Sequence, residues 1–203
     1  KNTSTKLAKR LAQYGALSAA VLGVADASGQ VTYTDLNPDV LLVLGDTFDI
    51  DFTGAAGQAN VQISNPDGLA GGTAALAFPS SGGAMVGFTA GGYEYPLVLV
   101  DGDIIDSASD YTTAGVRGDL NYYGCAYSNS QWCDFVEDGI LGVSFVFNGN
   151  THYGWVRMDT DVGSTDEITV KGYAFQAEPG AAIVAGDEGT LGNNDNNLSL
   201  IHI

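Results

Sequence analysis

The feature that most constrains the fold is a run of alternating side chains followed at once by a tight-turn signal. Large apolar residues occupy every second position over residues 141–147, which is typical of a β-strand with one buried face. Asn148-Gly149 follows, and these residue types best tolerate the positive φ angles of a type I′ hairpin. Return strands are predicted at 151–158 and 167–175. Residues 140–186 are therefore predicted to form a three-stranded meander.

Shorter strand patterns precede the meander, and turns rich in Gly, Asn, Pro and Ser separate them. They are predicted at residues 30–35, 40–44, 47–53, 59–64, 73–78, 84–89 and 95–100, with a turn at Asn37-Pro38-Asp39. Short strands at this spacing favour an all-β fold, an antiparallel β-sandwich that is jelly-roll-like. We predict a single domain over residues 28–186. Residues 101–132 show no regular pattern, and a loop this long is typical of a functional segment or of a cover over one end of the sandwich.

Both ends of the chain are predicted to lie outside this domain. Residues 1–10 are basic, residues 11–24 are moderately apolar, and Ala25-Asp26-Ala27 fits the small-x-small cleavage rule. This order predicts a helical signal peptide over residues 1–27, the alternative being an ordinary amphipathic helix with a basic start. Residues 187–203 are predicted to be a disordered tail. Its last six residues resemble a translated sequencing adapter, in which case a sorting signal or anchor is missing; the alternative is a short terminal strand.

The chain is strongly acidic. Its formal net charge is −17, and removal of residues 1–27 leaves three basic and 23 acidic residues, a net charge of −20. Such a surface repels phosphate backbones and anionic lipid, which argues against a nucleic-acid partner. The charge either keeps the protein soluble in a salty or calcium-containing exterior, or serves to bind calcium.

Closely spaced aspartates are the candidates for calcium binding, because Ca²⁺ takes six to eight oxygen ligands. The candidates are Asp49, Asp51, Asp101, Asp103 and Asp106. None of the groups matches the EF-hand loop, which needs a Gly at its sixth position and a Glu at its twelfth. The alternative is that these side chains are solvated at strand edges, where charges discourage pairing with other chains.

The first of the two cysteines lies in the irregular stretch and the second directly follows it. In an exported protein, Cys125 and Cys133 are predicted to form a local disulfide that closes a small loop. Two cysteines without neighbouring histidines make a zinc site a poor interpretation. His152 has three possible interpretations: a catalytic base, part of a sugar-stacking platform with the adjacent aromatic residues, or a residue of the core. We favour core packing.

Aromatic side chains in the same stretch are candidates for stacking on sugar rings. They are Tyr122, Tyr123, Tyr127 and Trp132. No nucleophile elbow, zinc-binding H-E-x-x-H motif or phosphate-binding loop occurs in the sequence. The chain is therefore not predicted to be an enzyme.

Two segments resemble a group of exported bacterial β-proteins that is common in Bacteroidota and related phyla. THYGWVRMD followed by EITVKGYAFQAEPGAAIVAGD is similar to the C-terminal meander of that group, and GQVTYTDLNPDV is similar to its mature start. Members of this group are exported β-proteins, and they often carry a C-terminal sorting or anchoring tail. The resemblance therefore implies export and a β-fold. Relatives often have a fuller Asp/Asn/Gly-rich stretch where this chain has DIDFTGAAGQ, which weakens the calcium interpretation.

Three functions are compatible with these observations. The first is a secreted or cell-surface structural protein that interacts with itself or with other surface proteins, through an edge strand at its mature N-terminus. The second is a carbohydrate-binding module, with glycan partners and assistance from Ca²⁺. The third is a sandwich-fold polysaccharide hydrolase, which needs two carboxyl groups facing one cleft. All three place the protein outside the cell, with membrane contact only through the signal peptide or a missing anchor.

Overall fold

A computed structural model describes residues 31–54, 59–67, 74–122, 126–133, 135–161 and 165–189. The predicted signal peptide and most of the predicted tail lie outside these ranges, as do Tyr123 and Cys125. Every regular element within them is a β-strand. The thirteen strands are β1 Val31–Leu42, β2 Thr47–Ile50, β3 Val61–Ser64, β4 Ala74–Pro79, β5 Ala84–Met85, β6 Gly87–Ala90, β7 Tyr93–Pro96, β8 Ile104–Ile105, β9 Gly118–Tyr122, β10 Phe135–Phe147, β11 Asn150–Asp161, β12 Glu167–Gln176 and β13 Ile183–Val184.

The strands form two large sheets and one small one. The five-stranded sheet has the order β1-β12-β11-β10-β5, and the six-stranded sheet has the order β2-β3-β4-β9-β7-β6. The pairs are antiparallel, apart from the contact of β7 with β9 through Glu94 and Gly118. The predicted all-β class and antiparallel β-sandwich are confirmed. Within the described residues, no helix is long and apolar enough to cross a membrane.

The main core lies between the two large sheets. Alternate side chains on each sheet point into it, as the period of two requires. Phe52, which follows β2, stacks on Phe145 of β10 with ring centroids 4.9 Å apart, so the two sheets are in direct contact. The six-stranded sheet contributes Ile50, Val61, Ile63, Ala75, Ala77 and Leu120, and the five-stranded sheet contributes Leu42, Leu141, Val143, Phe145, Val156, Met158, Ile168, Val170 and Phe175.

A second apolar cluster covers the opposite face of the five-stranded sheet. Here Ile105 of β8 and Ile183 of β13 pack with Tyr153 and Trp155 of β11. Both faces of β11 are therefore buried, which explains the density of large side chains in this strand. The favoured interpretation of His152 as a core residue is confirmed, since it is 4% exposed and its Nδ1 lies 3.0 Å from the carbonyl oxygen of Gln176.

The predicted meander is confirmed. β10 and β11 pair in register from Gly139↔Met158 to Phe147↔Asn150, and β12 continues on the other side of β11. The hairpin turn has φ of 51° at Asn148 and 76° at Gly149. Positive φ at both central positions defines the expected primed turn, whose twist matches that of the flanking strands.

The course of the chain at residues 37–39 differs from the prediction. Asn37-Pro38-Asp39 is not a turn but part of the long strand β1, where the register with β12 shifts between Asp35 and Val40. β1 is an edge strand, and an edge bulge accommodates a proline that has no N–H to donate.

The predicted single strand at 84–89 is two strands in different sheets. β5 pairs with β10 and β6 pairs with β7, so the chain changes sheets at Val86. Gly87 permits this crossing because a Cβ there would lie 2.8 Å from the Cα of Pro96. The stretch at 101–132 also contains more order than predicted, since it includes β8 and β9.

Candidate functional site

The outward face of the six-stranded sheet carries a pocket. Ala77 of β4 and Leu120 of β9 point into the core, so their neighbours Phe78 and Asp119 lie on the opposite face. The pocket has a volume of about 430 Å³ and is lined by Phe78, Tyr93, Glu94, Val116, Arg117 and Asp119. We call it the outer pocket. Three adjacent strands, β4, β9 and β7, bring these residues together.

Glu94 is a buried carboxylate with fixed hydrogen bonds. It is 4% exposed. Its Oε2 accepts hydrogen bonds from the Oγ1 of Thr89 at 2.6 Å and from the backbone N–H of Thr113 at 2.8 Å. Burial raises the pKa of Glu94, but the bonds from Thr89 and Thr113 outweigh that effect and hold the pKa below its ordinary value. Glu94 is therefore a negative charge held in one orientation at neutral pH.

Asp119 and Arg117 form an ion pair at the pocket wall. The Nη2 of Arg117 lies 2.8 Å from the Oδ1 of Asp119, whose side chain is 5% exposed. Apart from this guanidinium, the buried Oδ1 has no polar partner among the described residues. Burial raises the pKa of Asp119; the guanidinium of Arg117 opposes the rise and the carboxylate of Glu94 adds to it.

Three tyrosines lie beside the outer pocket, and we call them the tyrosine trio: Tyr93, Tyr122 and Tyr127. The ring centroids of Tyr93 and Tyr127 are 5.3 Å apart and those of Tyr122 and Tyr127 are 6.0 Å apart, each pair tilted by 42°. Tyr93 is 40% exposed, and the other two rings are half-buried. The guanidinium of Arg117 lies 5.2 Å from the ring centroid of Tyr122, which links the trio to the pocket.

The prediction that Trp132 is a stacking residue is wrong. Its side chain is 0% exposed and belongs to the main core. Its carbonyl oxygen accepts a hydrogen bond of 3.0 Å from the Nδ2 of Asn121 in β9, and a Cβ added at Gly139 would lie 2.8 Å from its Cζ3. A large apolar ring contributes more when buried than when exposed to water. Of the other candidates, Tyr122 and Tyr127 lie in the trio and Tyr123 lies outside the described residues.

The first pair of calcium candidates is engaged locally. The Oδ1 of Asp49 accepts a hydrogen bond of 2.7 Å from the Nε2 of Gln62. The Oδ1 of Asp51 accepts bonds of 2.9 Å from the backbone N–H and the hydroxyl of Thr53. One carboxylate joins the neighbouring strands β2 and β3, and the other closes a turn directly after β2, so each is engaged with its own local partner.

The second calcium group is also dispersed. The Oδ1 of Asp101 lies 2.7 Å from the Nη2 of Arg157. The Oδ2 of Asp103 accepts a hydrogen bond from the N–H of Val100, and the Oδ1 of Asp106 accepts one from the N–H of Ala108. No group of three or more His, Cys, Asp or Glu side chains in the described ranges is placed to hold a metal ion. The structure does not assemble these five aspartates into the predicted calcium sites.

Cys133 is half-buried, and its Sγ lies 3.4 Å from the carbonyl oxygen of Ser130. It is not a free thiol. Cys125 lies outside the described residues, so the bond between the two cysteines stays a prediction.

Sequence reasoning did not identify the lining of the outer pocket. Tyr93 and Glu94 lie between the Gly91-Gly92 turn and the strand predicted at 95–100, so they were assigned to no strand. Asp119 lies in β9 and Arg117 comes just before that strand, and this strand falls in a stretch whose sequence shows no regular pattern. The spacing of Arg117 and Asp119, two positions apart, was the available signal.

Comparison with known proteins adds no further constraint: no protein-family model, no curated protein sequence and no solved structure matches this chain. The resemblance to exported bacterial β-proteins stays a prediction. The fold is that of an antiparallel β-sandwich. What the outer pocket binds is therefore inferred from the side chains that line it.

Proposed function

We propose that this protein binds carbohydrate at the outer pocket and that the tyrosine trio is the stacking surface. The observation that carries the proposal is the position of three neighbouring tyrosine rings beside a pocket lined by Arg117 and Asp119. A sugar ring has an apolar C–H face and a rim of hydroxyl groups. Aromatic rings match the face, and charged donors and acceptors match the rim.

The dimensions of the site fit a small ligand. The volume of about 430 Å³ falls within the range of about 300–1,000 Å³ that small-molecule sites occupy. The tyrosine rings are tilted by 42° rather than coplanar, so they form a bent surface. Such a surface suits a twisted chain or a chain end better than the flat face of a crystalline polysaccharide.

The test is to titrate a panel of soluble oligosaccharides into the full chain by calorimetry and to repeat the titration with Tyr93→Ala. The exposed ring of Tyr93 should be removable without loss of fold, and we expect a loss of affinity of about tenfold or more, equivalent to about 1.4 kcal/mol. The control is Phe135→Ala on β10, because Phe135 is another exposed aromatic residue, 59% against 40% for Tyr93. Absence of binding across the panel, or equal affinity for Tyr93→Ala and wild type, would refute the proposal.

A structural role through self-association is the second candidate, and one apolar patch favours it. Leu41, Val43 and Leu44 at the end of β1 are 51%, 46% and 42% exposed, and β1 is the edge of the five-stranded sheet. Unpaired edge strands and exposed apolar patches are common sites of protein association. The register shift between Asp35 and Val40 interrupts the edge, so the association would involve the apolar end of β1.

Sedimentation velocity and negative-stain microscopy of the full chain test this second candidate. We expect assemblies that are lost in the double variant Val43→Asp with Leu44→Asp and retained in Val146→Asp, which alters an apolar residue of similar exposure, 43%, on β10. A wild-type chain that stays monomeric at all concentrations would remove this candidate. Export to the cell exterior is proposed with either function, and N-terminal sequencing of protein recovered from culture medium would test it.

A further inference from the structure

We infer that the outer pocket selects neutral sugars over anionic sugars, and that Asp119 sets this selection by neutralising Arg117. The inference rests on the proposed carbohydrate binding and specifies its ligand class. It follows from the positions of the charged groups relative to the pocket, from the apolar side chains around them, and from the pairing of the cations in the described residues.

The charged group that a ligand meets in the outer pocket is a cation. The side chain of Arg117 is 35% exposed and that of Asp119 is 5% exposed. The carboxylate of Glu94 lies on the other face of the sheet, because Glu94 is opposite Gly118 and opposite residues share a face. A Cβ at Gly118 would lie 2.7 Å from the Cε of Met85, a residue of the main core. The ligand therefore contacts the guanidinium and neither carboxylate.

An exposed guanidinium attracts anions, but Asp119 opposes that attraction. The Oδ1 of Asp119 lies 2.8 Å from the Nη2 of Arg117 and has no other polar partner among the described residues. The carboxylate of a uronic acid would have to share the guanidinium with Asp119, and the two like charges repel each other. A neutral hydroxyl group meets no such repulsion, and its oxygen accepts hydrogen bonds from the guanidinium N–H groups that Asp119 does not occupy.

The guanidinium is also held in one orientation. In addition to its contact with Asp119, its Cζ lies 5.2 Å from the ring centroid of Tyr122, a distance at which a cation is attracted to an aromatic face. A donor that is already fixed loses little conformational entropy when a ligand binds. Arg117 is therefore a prepared hydrogen-bond donor whose charge is compensated.

The remaining lining of the pocket is largely apolar. Phe78, Tyr93 and Val116 are 38%, 40% and 41% exposed. The C–H face of a neutral sugar packs against such side chains. An ionised group placed there loses water without gaining a partner, which costs free energy.

The other cations of the described residues offer no alternative site for an anionic sugar. Arg157 is paired with Asp101, and Lys171 is paired with two carboxylates. An acidic oligosaccharide would also approach a chain with a formal net charge of −17, which repels it.

The experiment uses the full chain and two oligosaccharides of equal length that differ only at C6. One is the neutral oligosaccharide that binds most tightly in the panel, and the other is its oxidised form, with carboxylates in place of the C6 hydroxyl groups. For a glucose oligomer, the oxidised form is the glucuronic acid oligomer. Affinities are measured by calorimetry at neutral pH in about 0.15 M salt, which screens long-range repulsion. We expect the neutral form to bind at least about tenfold more tightly.

Asp119→Asn removes the compensating charge and keeps the size of the side chain. It should raise the affinity for the oxidised form by about tenfold and bring the ratio of affinities close to one. The matched control is Asp101→Asn, which makes the same change of net charge and removes the carboxylate partner of Arg157. Arg157 belongs to the other large sheet, so this variant should leave the ratio unchanged.

A double variant keeps the inference testable if thermal melting shows that Asp119→Asn is unfolded. Arg117→Gln combined with Asp119→Asn removes both charges and leaves no buried charge unpaired. It should lose about tenfold in affinity for the neutral form and gain none for the oxidised form. Unchanged affinity for the neutral form would overturn the role of Arg117 as the donor.

The outcomes separate the two proposals. If the oxidised form binds the wild-type chain as tightly as the neutral form, the inference is overturned and carbohydrate binding stands. If Asp119→Asn gains no affinity for the oxidised form, or gains only as much as Asp101→Asn, selection by Asp119 is overturned. If no oligosaccharide binds, the proposed function fails and the inference fails with it.

Discussion

Replacement of Trp132 by alanine should destabilise the fold by about 3 kcal/mol or more. The reason is its complete burial in the core between the two large sheets, where it is 0% exposed. This prediction matters because the sequence pattern placed Trp132 on a sugar-binding surface, and the two positions have opposite consequences for stability.

The magnitude follows from the buried area. A buried aromatic side chain removes about 150–250 Å² from water, which at about 25 cal/mol per Å² corresponds to about 4–6 kcal/mol. Its Nε1 is buried without a hydrogen bond, and loss of that group returns about 1–3 kcal/mol. The net cost is about 3 kcal/mol, at the lower end of the range for Trp→Ala substitutions in cores.

Urea unfolding followed by far-ultraviolet circular dichroism measures the cost directly. For a domain of this size, about 3 kcal/mol corresponds to a fall in Tm of about 6–12 °C. The chain has two tryptophans, and Trp155 is also 0% exposed. The Trp155→Phe variant therefore leaves Trp132 as the sole tryptophan, and acrylamide should quench its emission poorly when tryptophan is excited selectively.

Two results would refute the reasoning. One is a Trp132→Ala variant within about 0.5 kcal/mol of wild type, which is the range of ordinary surface substitutions. The other is a Trp155→Phe variant whose remaining emission is readily quenched by acrylamide, or shifts when sugar is added. Either would place Trp132 at the surface.

Three further predictions concern packing, pH and the cysteines. Gly142→Ala should cost about 1–3 kcal/mol in urea unfolding, because the added Cβ would lie 2.7 Å from the Cδ1 of Leu99; unchanged stability would contradict the close packing over the outer face of the five-stranded sheet. The folded-state pKa of Glu94 lies below its ordinary value of 4.5, so its contribution to stability is present above that value and is lost as the pH falls through the folded-state pKa. Acid titration of unfolding should therefore be shallower for Glu94→Gln, and identical slopes would show that Glu94 is not held by its hydrogen bonds. Reduction should lower stability by about 2.5 kcal/mol if Cys125 and Cys133 close their short loop, whereas two free thiols in non-reduced protein by mass spectrometry would exclude the bond.

The parts of the fold that could be predicted from sequence are those fixed by local signals. Residues 141–147 alternate strictly, and Asn148-Gly149 meets the backbone requirement of a type I′ turn without help from the rest of the chain. Strand and turn were therefore predictable together. The passage of strand β1 through Pro38 was not predictable, because a proline in an edge strand and a proline in a turn have the same local sequence signature.

The candidate site could not be predicted because it depends on strand order. β9 has two buried polar residues, Asp119 and Asn121. Their partners, Arg117 and the carbonyl oxygen of Trp132, both lie outside the strand. A strand with polar residues on buried positions loses the apolar alternation on which prediction relies. The outer pocket also needs β4, β9 and β7 side by side, an order that the sequence order of the strands does not indicate.

The pairing of the first strand has a consequence for the order of folding. β1 lies at the edge of its sheet, and its one partner there is β12, with Val31 opposite Gln176. Contacts between residues so far apart in sequence form slowly, because closing the intervening chain costs entropy before any contact is gained. β1 must therefore remain unpaired until nearly the whole domain has been synthesised. The five-stranded sheet is completed late, by an event that joins the two ends of the domain.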